Sequence, residues 1–348
     1  MSESVPTLPA TIETDHPHEV WIIQPPRRRL WLHILLLLAT FVTTMAVGSR
    51  IQSNFDHRRP TFSLSDDGPF FPVDWMTHPS ELSRGLSFSL TLMFILLAHE
   101  MGHYLYARHY RVYATLPYFV PFPSLIGTLG AFIRIRTPIP SRAALFDIGM
   151  AGPIAGFIPA TIAMLAGLSL SQPAIPLDPQ QMQLGFPLGF HLAARILHLA
   201  SPLSSLSLHP IAAAAWVGMF ATALNLLPGG QLDGGHIIFS VSPPIHRAVS
   251  LLTVVALIPM GKYLWTGWFL WSVLLAMTMR HPPVPRDPAV TGRRRWIALS
   301  GALMLVLSFT PAPFTHSSGR EVWPEIRGGA GDTMRSVEQE VRHWRHRR

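Results

Sequence analysis

Apolar residues along this chain collect into long runs, separated by short stretches rich in proline and arginine. The runs cover 30–48, 85–107, 143–170, 211–227, 248–260, 264–279 and 296–312. A helix needs about 20 mostly apolar residues to cross a bilayer, so the pattern predicts an all-α polytopic membrane protein with six or seven transmembrane helices. Arg27-Arg28-Arg29 stands just before the first run and predicts a cytosolic N-terminus. The second run then returns to the cytosolic side. The segment 116–136 is apolar but holds Pro117, Pro121, Pro123, Gly127 and Gly130, which argues against an ordinary helix. Its later part alternates Phe132, Ile133 and Ile135 with arginines, a strand-like pattern. Non-helical backbone at membrane depth must be buried in protein or line a wet cavity. We therefore expect a re-entrant, partly extended loop that can close as a hairpin. The 211–227 run breaks at Pro228-Gly229-Gly230 and resumes through 231–236.

Three regions follow. Residues 1–29 read as a disordered cytosolic arm, 30–312 as the membrane domain with its core at 85–240, and 313–348 as a polar tail. The loop 49–84 is mixed in charge, with Phe70, Phe71 and Trp75 suited to an interface, and loop 171–210 carries a short amphipathic piece near 191–199. In the tail, Asp332 precedes a stripe of Met334, Val337, Val341 and Trp344 flanked by arginines, which fits an interfacial helix or a solvated, partly helical tail equally.

Composition sharpens this picture. Only 13% of the 348 residues are charged against 49% hydrophobic, whereas a soluble domain carries about 25% charged residues. The net charge of +8 would ordinarily raise nucleic acid as a partner, but the arginines flank apolar runs, which fits membrane topology and argues against nucleic acid. The predicted cytosolic segments hold 14 Lys and Arg and the external loops 6. The tail holds the remaining 7, which lie outside only if 296–312 crosses. The first thirty residues lack the apolar core and cleavage site of a signal peptide. With no cysteine, disulfides are excluded and any metal must use His, Asp or Glu.

Chemistry enters in the second run, at His99-Glu100-Met101-Gly102-His103. Two histidines four apart share a helical face and can reach one ion, and Glu100 stands near enough to take a proton from water held there. Ionisable groups inside a membrane segment are costly and usually functional, which weighs against a merely structural helix contact. A catalytic zinc usually has three protein ligands and one open position. At the right depth, the carboxylates besides Glu100 are Asp147 and Asp233. Asp147 falls in the first turns of a helix, where the helix dipole accounts for it. Asp233 follows the Pro-Gly-Gly break and is the better third ligand, with His236 as a rival.

Together with Asn225-Leu226-Leu227-Pro228-Gly229-Gly230-Gln231-Leu232-Asp233-Gly234, the His-Glu-x-x-His helix resembles the site-2 protease family of intramembrane zinc metalloproteases. Gly127-Thr128-Leu129-Gly130 resembles that family's membrane loop, and Ala151-Gly152-Pro153-Ile154-Ala155-Gly156 resembles its bacterial members; the likeness covers roughly 85–240. The resemblance implies one catalytic Zn2+ on His99, His103 and Asp233, Glu100 as general base, and Asn225 holding the substrate backbone or oxyanion. It also implies that the 117–136 loop offers an edge to an unwound substrate. The expected activity is zinc-dependent hydrolysis of a peptide bond within or near the transmembrane segment of a single-span protein, in a bacterial inner (plasma) membrane with the site towards the cytosol. The forty-residue loop 171–210 is too short for the PDZ domain of many relatives. The oligomeric state is left open. The competing readings are a metal-ion transporter using the same His and Asp residues, against which no internal repeat is found, and a non-catalytic scaffold.

Overall fold

Helices dominate the residues that this computed structural model describes, namely 29–62, 71–73, 76–175, 183–285, 292–315 and 317–321. Helix α1 (Leu30–Asp56) leads through a 3-10 turn to α2 (Leu86–His109). A hairpin follows, β1 (Tyr118–Pro121) against β2 (Thr128–Phe132), and then α3 (Arg142–Ser169). Beyond α3, β3 (Gln172–Pro173) pairs with β4 (Leu206–Ser207), and α4 (Leu188–Ile196) lies between them in sequence. The chain continues with α5 (Pro210–Asn225), α6 (Asp233–Val241), α7 (Pro243–Tyr263), α8 (Gly267–Met277) and α9 (Arg293–Ser308). Among the described residues, four helical stretches are long and apolar enough to cross a membrane: α1, α2 with its leading turn, α3 and α7. Helices α5 and α8 are equally apolar but shorter.

The core is helix on helix. Ala212, Ala213, Ala214, Ala215 and Trp216 of α5 are fully buried, as expected of a helix apolar on every side. Around it pack α2 and α3, whose approach is so close that a Cβ on Gly102 would strike the backbone of Ala151. The outer helices turn apolar side chains outward, among them Trp31 and Leu38 of α1, Leu252 of α7 and Leu299 of α9. Such exposure suits lipid and would be a liability in water.

The segment 116–136 does contain a hairpin. Tyr118 pairs with Phe132 and Phe119 with Ala131, and the register slips before the pair Pro121–Thr128. Proline lacks an N–H and suits such an edge position. Helix α1 holds the hairpin: Thr43 Oγ1 donates to Gly127 O at 2.6 Å, and His33 stacks on Tyr118 at 4.1 Å. Gly127 has φ +83°, and a Cβ there would meet the α1 backbone at Thr43 and Thr44.

Helix ends meet at two levels. At one, the Tyr110 hydroxyl at the end of α2 donates to Asp147 of α3, and Arg294 of α9 forks onto the same carboxylate at 2.9 and 2.7 Å. At the other, Trp268 Nε1 donates to Pro311 O at 2.7 Å, Leu184 bridges to Phe314, and Gln172 donates to Phe55 O at 2.5 Å. Helix α9 therefore runs from the first level to the second.

Helix boundaries differ from those read off hydropathy. The first helix continues past residue 48 to Asp56, its polar last turns carrying a Gln52–Asp56 hydrogen bond of 2.7 Å. Helix α7 begins at Pro243 rather than 248, because proline is accommodated in a first turn. The amphipathic piece lies at Leu188–Ile196, and the last helix ends at Ser308. The arm through residue 28, Phe70, Trp75 and the 331–348 stripe lie outside the described residues.

Candidate active site

His99 and His103 are one turn apart on the buried face of α2, and their Nε2 atoms stand 3.1 Å apart. Asp233 Oδ2 lies 3.3 Å from each. Ligands held roughly 2.0–2.1 Å from a tetrahedral ion are about 3.3–3.4 Å from one another, so the triangle has coordination spacing. Among the described residues these three form the cluster able to hold a metal ion. Asp233 Oδ2 is buried and has no hydrogen-bond partner among the described residues. An unpaired buried carboxylate oxygen is costly, and a cation at the centre of the triangle would relieve that cost. The donor set fits zinc.

Orientation of the imidazoles follows from their neighbours. His103 Nδ1 lies 2.8 Å from the carbonyl of Ile148 in α3. A carbonyl can only accept, so Nδ1 carries the proton and Nε2 presents its lone pair to the triangle. Room for both rings comes from the small face of α3. A Cβ on Gly152 would fall within the His103 ring, and one on Gly156 would stand 2.9 Å from His99 Cβ. What these glycines of the Ala151–Gly156 motif admit is the two histidines themselves.

Asp233 begins α6, immediately after the break that ends α5. The broken backbone is re-satisfied from α7, as it must be at this depth: Ser250 Oγ accepts from Gly230 N at 3.1 Å, and His246 Nε2 donates to Gly230 O at 2.9 Å. Both side chains are buried. Sequence reasoning passed over them, although a histidine and a serine at i, i+4 on an apolar helix were a usable signal.

Glu100 is buried beside His99, and Ile133 lines the same cavity. Asn225, the last residue of α5, brings Nδ2 to 3.3 Å from His99 Nε2. Two cavities meet here. The larger, about 770 Å³, opens past His103, Asp233, Arg134 and Pro282. The smaller, about 130 Å³, lies towards Ile95, Leu129, Gly218 and Trp271. His99, Glu100, Asn225 and Ala131 line both. Strand β2 and its continuation to Ile135 therefore pass along the site, with β1 on the other edge.

The remaining candidates lie elsewhere. Asp147 is not explained by its helix terminus alone: it pairs with Arg294 and Tyr110, away from the triangle. His236, the rival ligand, lines the larger cavity but is turned to a different partner. His281 Nδ1 donates to Pro282 O at 2.7 Å, so its Nε2 accepts from His236 Nδ1 at 2.8 Å.

The description "Peptidase family M50" fits residues 87–262. The chain is 28% identical over 313 residues to probable zinc metalloprotease EGY1, chloroplastic, of Arabidopsis thaliana, covering 86% of this chain and 57% of that protein. Against probable zinc metalloprotease EGY2, chloroplastic, identity is 30% over 244 residues in Arabidopsis thaliana, covering 68% of this chain and 43% of that protein. For EGY2 of Oryza sativa subsp. indica it is 32% over 241 residues, covering 67% and 44%. The chain thus spans about half the length of these relatives. With the matched region enclosing α2 and the break before α6, the chain belongs to peptidase family M50, the site-2 protease family.

Proposed function

We propose that this protein is an intramembrane zinc metalloendopeptidase that cuts a peptide bond within or near the transmembrane segment of a single-span protein, as a step in regulated intramembrane proteolysis. The observation that carries this reading is the coordination-spaced triangle of His99, His103 and Asp233 beside buried Glu100. Zinc held by His99, His103 and Asp233 would supply Lewis-acid chemistry and make water a better nucleophile at neutral pH. The chain's own residues do the rest. Glu100 accepts the proton of the attacking water and delivers it to the leaving amine. Asn225 donates its amide N–H to the scissile carbonyl oxygen as charge develops. A substrate helix has its carbonyls internally bonded and must unwind; the free edge of β2 offers replacement backbone partners along the site. Gly130 in that edge has open space where a Cβ would stand, which admits close approach of a second backbone. The larger cavity, which reaches Arg134, Thr137 and Pro282, gives water a route to the site.

We read the membrane domain as seven crossings, made by α1, α2, α3, α5, α7, α8 and α9, with the hairpin re-entrant from the level of Tyr110. The arginines at that level argue for the cytosolic side, in a bacterial inner membrane. The chloroplastic location belongs to the relatives. A transit site for ions is less well supported, because beyond His99, Glu100 and Asn225 the smaller cavity is lined mainly by apolar residues and adds no further carboxylate or imidazole. The test is co-expression with candidate single-span proteins, comparing wild type with Glu100→Gln. Equal cleavage by both would overturn the proteolytic reading.

A further inference from the structure

We propose that the smaller cavity is a size-limited pocket for one substrate side chain next to the scissile bond, and that Trp271 and Ala221 set the limit. The proposal rests on the proteolytic reading and names its substrate preference: a small or aliphatic residue, up to leucine, at that flank. Three observations converge. First, the cavity touches His99, Glu100 and Asn225 but neither His103 nor Asp233, so it lies to one side of the reacting centre. Second, its other walls are apolar or self-satisfied. Ile95, Leu129, Gly218, Ala221 and Trp271 line it, and the Thr222 hydroxyl is spent on Gly218 O at 2.9 Å. Apart from His99, Glu100 and Asn225 on the side of the reacting centre, these walls offer no carboxylate, amide or charged group to a polar side chain, whose unpaired burial is costly.

Third, the size is restrictive. A cavity of about 130 Å³ is smaller than the ~150 Å³ apolar cavity known to take benzene. Leucine fits, phenylalanine is at the limit, and tryptophan is excluded. On the α5 side Gly218 packs closely on Ile95, where a Cβ would stand 2.8 Å from Ile95 Cγ2. Trp271, on α8, also lines the pocket, packs against the cluster holding Phe220 and Leu224 of α5, and is only partly buried. A substrate strand along β2 would therefore place one flank of the cut bond in this apolar pocket and the other in the large cavity.

The test uses the full-length protein in lipid vesicles and a single-span reporter. Residues within three of the mapped cleavage point are changed one at a time to Ala, Leu, Phe or Trp, and rates are expressed relative to the alanine reporter for each enzyme. One flanking position should show a cut-off in the wild type, with Phe falling about tenfold and Trp further, the scale on which pockets discriminate size. Trp271→Ala should raise the Phe/Ala ratio at that position by about tenfold, and Ala221→Phe should lower the Leu/Ala ratio by about as much. Because each ratio is internal, a general loss of activity cancels; Trp271→Leu supplies an intermediate pocket should alanine unfold the helix pair. Ratios unchanged by all three substitutions, or no size preference at any flank, would overturn the pocket. Wild-type cleavage no greater than that of Glu100→Gln would instead overturn the proteolytic reading.

Discussion

Glu100 and the three ligand-type side chains offer different atoms, and the difference can be measured. Glu100→Gln keeps both imidazoles and the Asp233 carboxylate, so bound zinc should stay near one per chain while cleavage falls about 10²–10⁴-fold, the usual contribution of a general base. Asp233→Ala should lower bound zinc and cleavage together, as should His99→Ala. Zinc analysis of the purified variants separates the roles: loss of metal from Glu100→Gln equal to that from His99→Ala would contradict the assignment. Asp147→Asn should retain most activity but weaken the fork from Arg294, with a stability loss of about 1–3 kcal/mol read from thermal unfolding. The histidine pair was legible because the helix period places residues four apart on one face. Asp233 could be reached by depth and elimination. The partner of Asp147 could not, since Arg294 lies 147 positions away and no local pattern joins them.

The site depends on what each helix leaves out. Helix α3 gives up side chains at Gly152 and Gly156 so that α2 can carry imidazoles on its contact face. Gly149, in the same row, has a looser neighbour: a Cβ there would stand 3.4 Å from His236 Cβ, an ordinary contact. The two kinds of glycine should therefore behave differently. Gly152→Ala should displace the His103 ring and weaken zinc binding by about 10–100-fold, the range for disturbing the support of a ligand, while Gly149→Ala should bind zinc like the wild type. Competition with a chelator of known affinity checks both, and equal affinity in the two variants would refute the seat. At this scale four of the seven apolar runs correspond, among the described residues, to helices long enough to span, because bilayer thickness imposes a length that hydropathy reports. Their ends were less so, because hydropathy follows the lipid and not the helix: the polar turns of α1 to Asp56 and the proline-led start of α7 lie beyond its reach. The hairpin was partly legible from its prolines and alternation. Its slipped register depends on anchoring by α1, which the segment itself does not encode.

For the whole molecule, the open question in the sequence was whether the last apolar run crosses, since seven positive residues in the tail argue against an external terminus. The packing bears on it through neighbours. Arg294 is tied to Asp147 and Tyr110, whereas the chain after α9 is tied to Trp268 and Leu184, and Arg320 lies over the Tyr263 ring at 4.6 Å. A buried tryptophan donor and an ion-pair fork at opposite ends support the crossing proposed for α9, against a charge count that biases insertion by short loops and loses weight along a tail. The absence of cysteine allows a direct reading, because single cysteines can be introduced without removing any. Ser204→Cys, exposed at the level of Trp268, should react with a membrane-impermeant maleimide on intact cells, and Thr137→Cys, at the level of Tyr110, only after permeabilisation. Arg320→Cys should follow Ser204→Cys. If it follows Thr137→Cys instead, α9 does not cross, the tail is cytosolic, and the contacts around Trp268 cannot describe the protein in its membrane.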